Sequence, residues 1–260
     1  MGWKVLKKRI IPVLLLKNGR MVKGKKFTDY RDTGDPVSQA KIYNSHNTDE
    51  LIFLDIEATS QNRSSIIDLI KEISKECFMP LSVGGGIASI KDIRETISAG
   101  ADKVIINSAA VNNKSFITHA SKQFGKQAII ISIDVKIENN KYIVYSHSGQ
   151  RRENIDLIEY INILQGAGAG EIFINSIDQD GMMQGYDLKL LEKIKEVAKI
   201  PVIICGGAGH FEDLFQGFAH GAHAVACASL FHIGDNNPTR ARSYLLNKGI
   251  PMKNLKGIVF

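Results

Sequence analysis

Asp134 closes the apolar run IIISID, and two glycine turns, Gly84-Gly85-Gly86 and Gly206-Gly207-Ala208-Gly209, each follow a short β-branched segment. A carboxylate at the end of an apolar strand is a candidate general acid or base; the alternative is a structural carboxylate that binds loop amides. Glycine lets backbone N–H groups approach a phosphate closely, and a following helix N-terminus adds partial positive charge. The same glycines would serve a tight turn that needs positive φ. One strand after each turn stands a hydroxyl, in Asn107-Ser108 and in Ala228-Ser229. Turns and hydroxyls combined in this way read as two oxyanion cradles, and so as sites for a small molecule phosphorylated at opposite ends. No Walker or Rossmann spacing competes with that reading.

The two cradles are copies of one another. Pro80, Gly85, Gly86, Asp92, Gly100, Ala101, Val104 and Ser108 recur at one constant offset as Pro201, Gly206, Gly207, Asp213, Gly221, Ala222, Val225 and Ser229, and Glu50 and Glu171 stand in the same relation. GADKVIINS at 100–108 is answered by GAHAVACAS at 221–229. A repeat at half the chain length predicts a duplicated half-fold.

Stepping from residues to elements, strand candidates lie at 9–15, 50–56, 81–83, 103–107, 129–134, 171–176, 202–205 and 224–228. Helix candidates lie near 35–46, 64–76, 89–98, 113–123, 154–165, 187–197, 211–219 and 238–247. Eight apolar strands interleaved with eight helices predict a parallel sheet covered on its outer face. With the half-length repeat they favour a single (β/α)8 TIM barrel over 1–260, with half-barrels of about 1–124 and 125–260. In such a barrel the strand ends carry chemistry and the strand starts carry stability or docking. Two segments break the rhythm. Residues 138–150 read as an extra hairpin after strand five, and residues 17–31 as a long, basic, mobile loop after strand one. Aligning strand one with strand five puts Leu15 in the place of Asp134, so one member of a possible carboxylate pair is a leucine.

Formal net charge is +6, with Lys17, Arg20, Lys23, Lys25 and Lys26 clustered. The cluster reads as a solvated loop or as a lure for a phosphorylated small molecule; without aromatic interleaving or a basic helix it does not favour nucleic acid. Cys77, Cys205 and Cys227 show no zinc or disulfide spacing. His46, His119, His147, His210, His220, His223 and His232 are scattered and read as surface or loop histidines. No metal and no cofactor are expected. No secretory h-region and no membrane-length apolar run is visible, so a soluble cytoplasmic protein with no membrane partner is expected. The CFMP of 77–80 reads as a buried lead-in to strand three.

RIIPVLLLKNGRMVKG, FLDI, VGGGI, GADKVIIN, SIDVK, SIDQDG, GYD and GGAG, in this order and over essentially the whole chain, resemble the cyclase subunit of imidazole glycerol phosphate synthase. The resemblance implies a (β/α)8 barrel that works with a separate glutaminase subunit. Ammonia released there passes through the barrel to a bisphosphorylated aminoimidazole-carboxamide ribonucleotide, which cyclises and cleaves. By the same resemblance Asp134 and Lys23 match the family's strand-five aspartate and mobile-loop lysine. Gly86, Asn107, Ser108, Gly181, Gly207 and Ser229 match positions around the substrate or its phosphates. Arg9, Glu50, Lys103 and Glu171, which open strands one, two, four and six, match the charged ring through which ammonia enters.

The departures gather at the reacting end. Leu15 stands where the family has its other catalytic aspartate, Asn175 and Cys205 stand for threonine and serine, and Met182-Met183 replace a more polar pair. The VLLLKNG stretch resembles a subgroup associated with amidation of bacterial surface sugars, in which a glutaminase, such a barrel and a separate sugar amidotransferase work together. Three readings follow: an ammonia-relaying barrel in sugar amidation, a true histidine-pathway cyclase in which another group replaces the missing aspartate, and a non-catalytic phosphosugar-binding scaffold.

Overall fold

The computed structural model describes residues 7–61, 66–232 and 234–253. From the N-terminus the chain runs β1 (Arg9–Lys17), β2 (Arg20–Lys25), β3 (Thr28–Gly34), α1 (Pro36–Ser45), β4 (Leu51–Asp55), α2 (Ile67–Glu76), β5 (Leu81–Gly84), α3 (Ile90–Ser98), β6 (Lys103–Ile106), α4 (Ser108–Asn112) and α5 (Lys114–Phe124). It continues with β7 (Ile129–Glu138), β8 (Lys141–Ser146), β9 (Arg151–Arg152), α6 (Leu157–Ala167), β10 (Glu171–Ser176), α7 (Leu188–Lys195), β11 (Val202–Cys205), α8 (Phe211–Ala219), β12 (Ala224–Cys227), α9 (Ser229–His232) and α10 (Pro238–Asn247). Strands β1, β4, β5, β6, β7, β10, β11 and β12 pair in parallel in that order, and β12 pairs back to β1. The expected closed (β/α)8 barrel is what forms. The first two residues of the expected helix 64–76 lie outside the described residues.

Each barrel strand is apolar on both faces because each face is covered. Ile11, Val13, Ile52, Ile105, Ile130, Phe173 and Ile203 fill the barrel interior. Their neighbours Ile10, Leu14, Val104, Ile129, Ile131 and Ile172 pack in the larger cluster shared with the helices. Each such side chain contributes about 1.5–3 kcal/mol on burial, which is why runs such as Ile129-Ile130-Ile131 specify barrel strands without polar alternation.

Polar residues then fix where the helices begin. Asp92 Oδ2 accepts from the amides of Ala88 (3.0 Å) and Ser89 (2.8 Å), and Asp213 Oδ2 accepts from those of Gly209 and His210, both at 2.8 Å. The repeated aspartates are therefore N-terminal caps that tie each glycine turn to the helix after it.

Three expectations need correction. Residues 17–31 do not form a long mobile loop: β2 pairs antiparallel with the end of β1 and with β3, extending the sheet beyond the barrel mouth. Lys23 in that stretch is buried, not solvated. The CFMP segment is not a buried lead-in, because Phe78 is 87% exposed and β5 starts only at Leu81. The hairpin at 138–150 is present, built from the extension of β7 to Glu138 and its antiparallel partner β8, with β9 added outside. Among the described residues no helix is long and apolar enough to cross a membrane, and no cluster of His, Cys, Asp or Glu could hold a metal ion.

Candidate functional site

Asp134 reaches the barrel mouth because strand alternation in β7 turns Ile130, Ser132 and Asp134 inward, the last at the strand's C-terminal end. It is 7% exposed, and its Oδ2 accepts a 3.0 Å hydrogen bond from Asn107 Nδ2. Burial, reinforced by the charge of Asp180, pushes its carboxyl up to about 7, against the opposing pull of the Asn107 bond. A carboxyl held near neutrality exchanges protons in both directions at ordinary pH.

Lys23 enters the same space from β2, and its Nζ lies 2.8 Å from Asp180 Oδ1. The approach depends on glycine. A Cβ on Gly181 (φ 72°) would sit 2.2 Å from the carbonyl oxygen of Gly24, so Gly181 is what lets the β2–β3 hairpin lie against the loop after β10. The amide of Lys26 donates to the Asp180 carbonyl at 2.8 Å and closes that contact. Two acceptor atoms in this wall, Asp180 Oδ2 and Asn175 Oδ1, are buried without a hydrogen-bond partner. Both residues line the mouth cavity.

The glycine turns have a backbone reason of their own. Gly85, Gly86, Gly206 and Gly207 all have positive φ, and a Cβ on Gly207 would meet the Gly185 carbonyl oxygen at 2.0 Å. Ser108 and Ser229 are the first residues of α4 and α9. The structure gathers Lys23, Gly86, Asn107, Ser108, Asp134, Gly181, Gly207 and Ser229 around one cavity of about 440 Å³. Asn175 and Cys205 are also among its walls, whereas Met182 and Met183 are not.

Leu15 lines this cavity too. It pairs with Leu54 in the neighbouring strand, as Asp134 pairs with Asn175.

The opposite end of the barrel holds the four charges expected there. Arg9 lies 2.6 Å from Glu50 and also contacts Glu171, while Lys103 lies 3.1 Å from Glu50 and 2.7 Å from Glu171. Ser82 adds a 2.6 Å hydrogen bond to Glu50. Burial opposes ionisation, yet Arg9 and Lys103 hold the Glu171 carboxyl below its usual range. Each cation touches both anions, so the ring is closed and internally neutral, as buried charges require. Between ring and mouth the interior is filled by the apolar layer around Ile52, Ile105 and Phe173.

Sequence reasoning passed over Asp180 although it lies beside Gly181 in SIDQDG; its signal was a carboxylate just past a barrel strand. It also passed over Tyr30 and the His147-Ser148 turn. The extra hairpin brings that turn to the cavity, where the His147 amide donates to Ser108 Oγ at 3.0 Å. His232 is not the surface histidine expected: both its ring nitrogens are buried.

A closed barrel with a cavity at its strand ends and a charged floor defines a class of (β/α)8 barrels. Within it, a family profile described as histidine biosynthesis protein matches residues 9–237. The chain is 44% identical over 250 residues to the imidazole glycerol phosphate synthase subunit HisF of Dehalococcoides mccartyi strain CBDB1, covering 96% of this chain and 99% of the relative. It is 43% identical over 249 residues to the subunit of the same name from Thermococcus onnurineus, with the same coverage. The chain belongs to the histidine biosynthesis protein family and, within it, is similar to HisF subunits over nearly its whole length.

Proposed function

We propose that this chain is a HisF-type barrel subunit of an imidazole glycerol phosphate synthase. It accepts ammonia from a glutaminase subunit at the ring of Arg9, Glu50, Lys103 and Glu171. It adds that ammonia at the mouth to a bisphosphorylated aminoimidazole-carboxamide ribonucleotide, which then cyclises and cleaves. The observation that carries the reading is the pairing, in one barrel, of a closed ion ring at the floor with a buried carboxyl poised near neutrality at the mouth. The names of the relatives support this reading over sugar amidation.

Each residue has a task that its position supports. The turns at Gly86 and Gly207, with Ser108 and Ser229, bind the two phosphates through amides and hydroxyls. Asp134 takes a proton from the attacking nitrogen and returns one during ring closure. Lys23, held by Asp180, supplies positive charge to the bound substrate.

Leu15 favours a second reading, in which the barrel relays ammonia for surface-sugar amidation and retains little cyclase chemistry. One experiment separates the two. The purified barrel is given the histidine-pathway nucleotide with ammonium, and then with glutamine and the glutaminase subunit of a HisF-containing relative. Cyclised product from both nitrogen sources supports the cyclase. Complex formation with the glutaminase but no product from ammonium supports the relay.

A further inference from the structure

Tyr30 lines the mouth cavity from β3, and neither the two cradles nor the cluster of Asp134, Lys23 and Asp180 uses it. Its ring packs on the apolar cluster inside the barrel that holds Leu15 and Val22. Room for the ring comes from Gly24, where a Cβ would sit 2.8 Å from Tyr30 Cδ1 and 3.0 Å from Cε1. Lys17 Nζ stands 5.7 Å from the ring centroid, a cation–π contact that helps to hold the ring in place.

The hydroxyl at the end of this seated ring is free. No hydrogen bond among the described residues engages it, and unlike Asn175 Oδ1 and Asp180 Oδ2 it is not sealed away from solvent. Burial pushes it well above the ordinary tyrosine range, and the charges of Asp180 and Asp134 push it further the same way. The hydroxyl therefore stands close to both carboxyls and remains a neutral O–H donor at every working pH. Two donors beside it are already engaged, Lys23 on Asp180 and Asn107 on Asp134. A fixed, neutral O–H in a site largely withdrawn from water suits an oxygen on which negative charge develops during reaction. Leu15, in the same cluster, can offer no such bond.

We propose that Tyr30 is a further catalytic residue of the mouth, whose hydroxyl donates a hydrogen bond to an oxygen of the bound nucleotide as negative charge develops there, and that it offsets part of what the leucine at position 15 lacks. The inference rests on the cyclase reading. Tyr30 keeps its proton throughout, while Asp134 does the proton exchange. The phosphate cradles hold the nucleotide before reaction, so the contribution of Tyr30 falls on kcat.

The test uses the full chain, ammonium and the histidine-pathway nucleotide. Tyr30→Phe removes one oxygen and keeps the ring, its seat on Gly24 and the Lys17 contact. It is expected to lower kcat by about tenfold or more, with KM for the nucleotide within a factor of about two and the denaturant midpoint unchanged. In a Leu15→Asp background, where a carboxyl shares the task, the same substitution should cost at least about threefold less, so the two changes are non-additive. A purely structural role would be felt alike in both backgrounds. The proposal is overturned if Tyr30→Phe keeps the parent kcat, if its loss is confined to KM, or if the loss is equal in both backgrounds. A parent that makes no cyclised product from ammonium overturns the cyclase reading instead, and this inference falls with it.

Discussion

Leu15 and Asp134 hold matching places in the barrel: Leu15 pairs with Leu54 between β1 and β4, and Asp134 pairs with Asn175 between β7 and β10. Both side chains line the mouth cavity, so the proposed ring closure would have a carboxyl on one side and a hydrocarbon on the other. A single general acid–base is typically worth about 10²–10⁴-fold in rate. Ammonia-dependent turnover of the histidine-pathway nucleotide is therefore expected to be at least about 10²-fold below that of a relative with aspartate at this position. Leu15→Asp should restore part of the loss, measured as kcat with ammonium at saturating nucleotide. An ordinary rate in the parent would mean that another group supplies the missing proton.

The Lys23–Asp180 pair is the group most exposed to disruption. Lys23→Met leaves Asp180 buried without its cation, a change that costs about 3–5 kcal/mol for a buried pair. Denaturant unfolding should show this as a lower midpoint. Asp180→Asn acts differently, because the Asp180 charge is one of the causes that raise Asp134. The Asp134 titration should move to lower pH in that variant, and any pH–rate limb assigned to it should move the same way. A limb that stays in place would assign it to another group.

What could be read in the sequence follows from how local the signals are. The barrel strands are continuous apolar runs and the repeat ties the glycine turns to each other, so the fold and the placement of both turns at the strand ends were legible from the sequence. Arg9, Glu50, Lys103 and Glu171 were legible as a floor ring only through the family resemblance, because charges that open strands read equally as surface ion pairs. Residues 17–31 misled because β2 and β3 are short and polar on their outer face, and what fixes them is a distant contact between Gly24 and Gly181. Asp180 was missed for the same reason: its importance lies in the lysine it meets across the mouth. Phe78 was misplaced because an apolar CFM reads as core, whereas Cys77 and Met79 are only half-buried and the Phe78 ring between them turns outward.

Asp134 also predicts a pH dependence of stability. Its native carboxyl titrates near 7, well above the value of about 3.9 in an unfolded chain. Between those values the native state binds more protons than the unfolded state, so stability falls as pH rises from about 4 to about 7. Asp134→Asn removes the charge and that penalty. The variant should be the more stable protein at pH 8, by on the order of a few kcal/mol, with the advantage fading toward pH 4. Its turnover should nevertheless drop by about 10²–10⁴-fold. Thermal unfolding of both proteins across this range measures the effect, and a difference independent of pH would contradict it.

The floor gives the last prediction. Phe78 precedes β5 at the strand-start end of the barrel, in a shallow cleft with Leu51, Leu81 and Asp102; Leu81 donates from its amide to Asp102 Oδ2 at 2.8 Å. A phenyl ring so exposed at the end of the barrel that holds the ion ring suits a hot spot for the proposed glutaminase partner. Phe78→Ala should weaken the complex by about 30-fold or more, the worth of a buried aromatic anchor of about 2 kcal/mol. Lys103→Met tests a different step. It leaves Glu50 and Glu171 sharing Arg9 alone, which should raise Glu171 toward protonation and loosen the ring around the entry point. Glutamine-dependent product should then fall about tenfold or more, equivalent to at least about 1.4 kcal/mol in the barrier. Product made from added ammonium should stay within a factor of about two, since the mouth chemistry is untouched. Equal losses with both nitrogen sources would show that Lys103 supports the fold and not the delivery of ammonia.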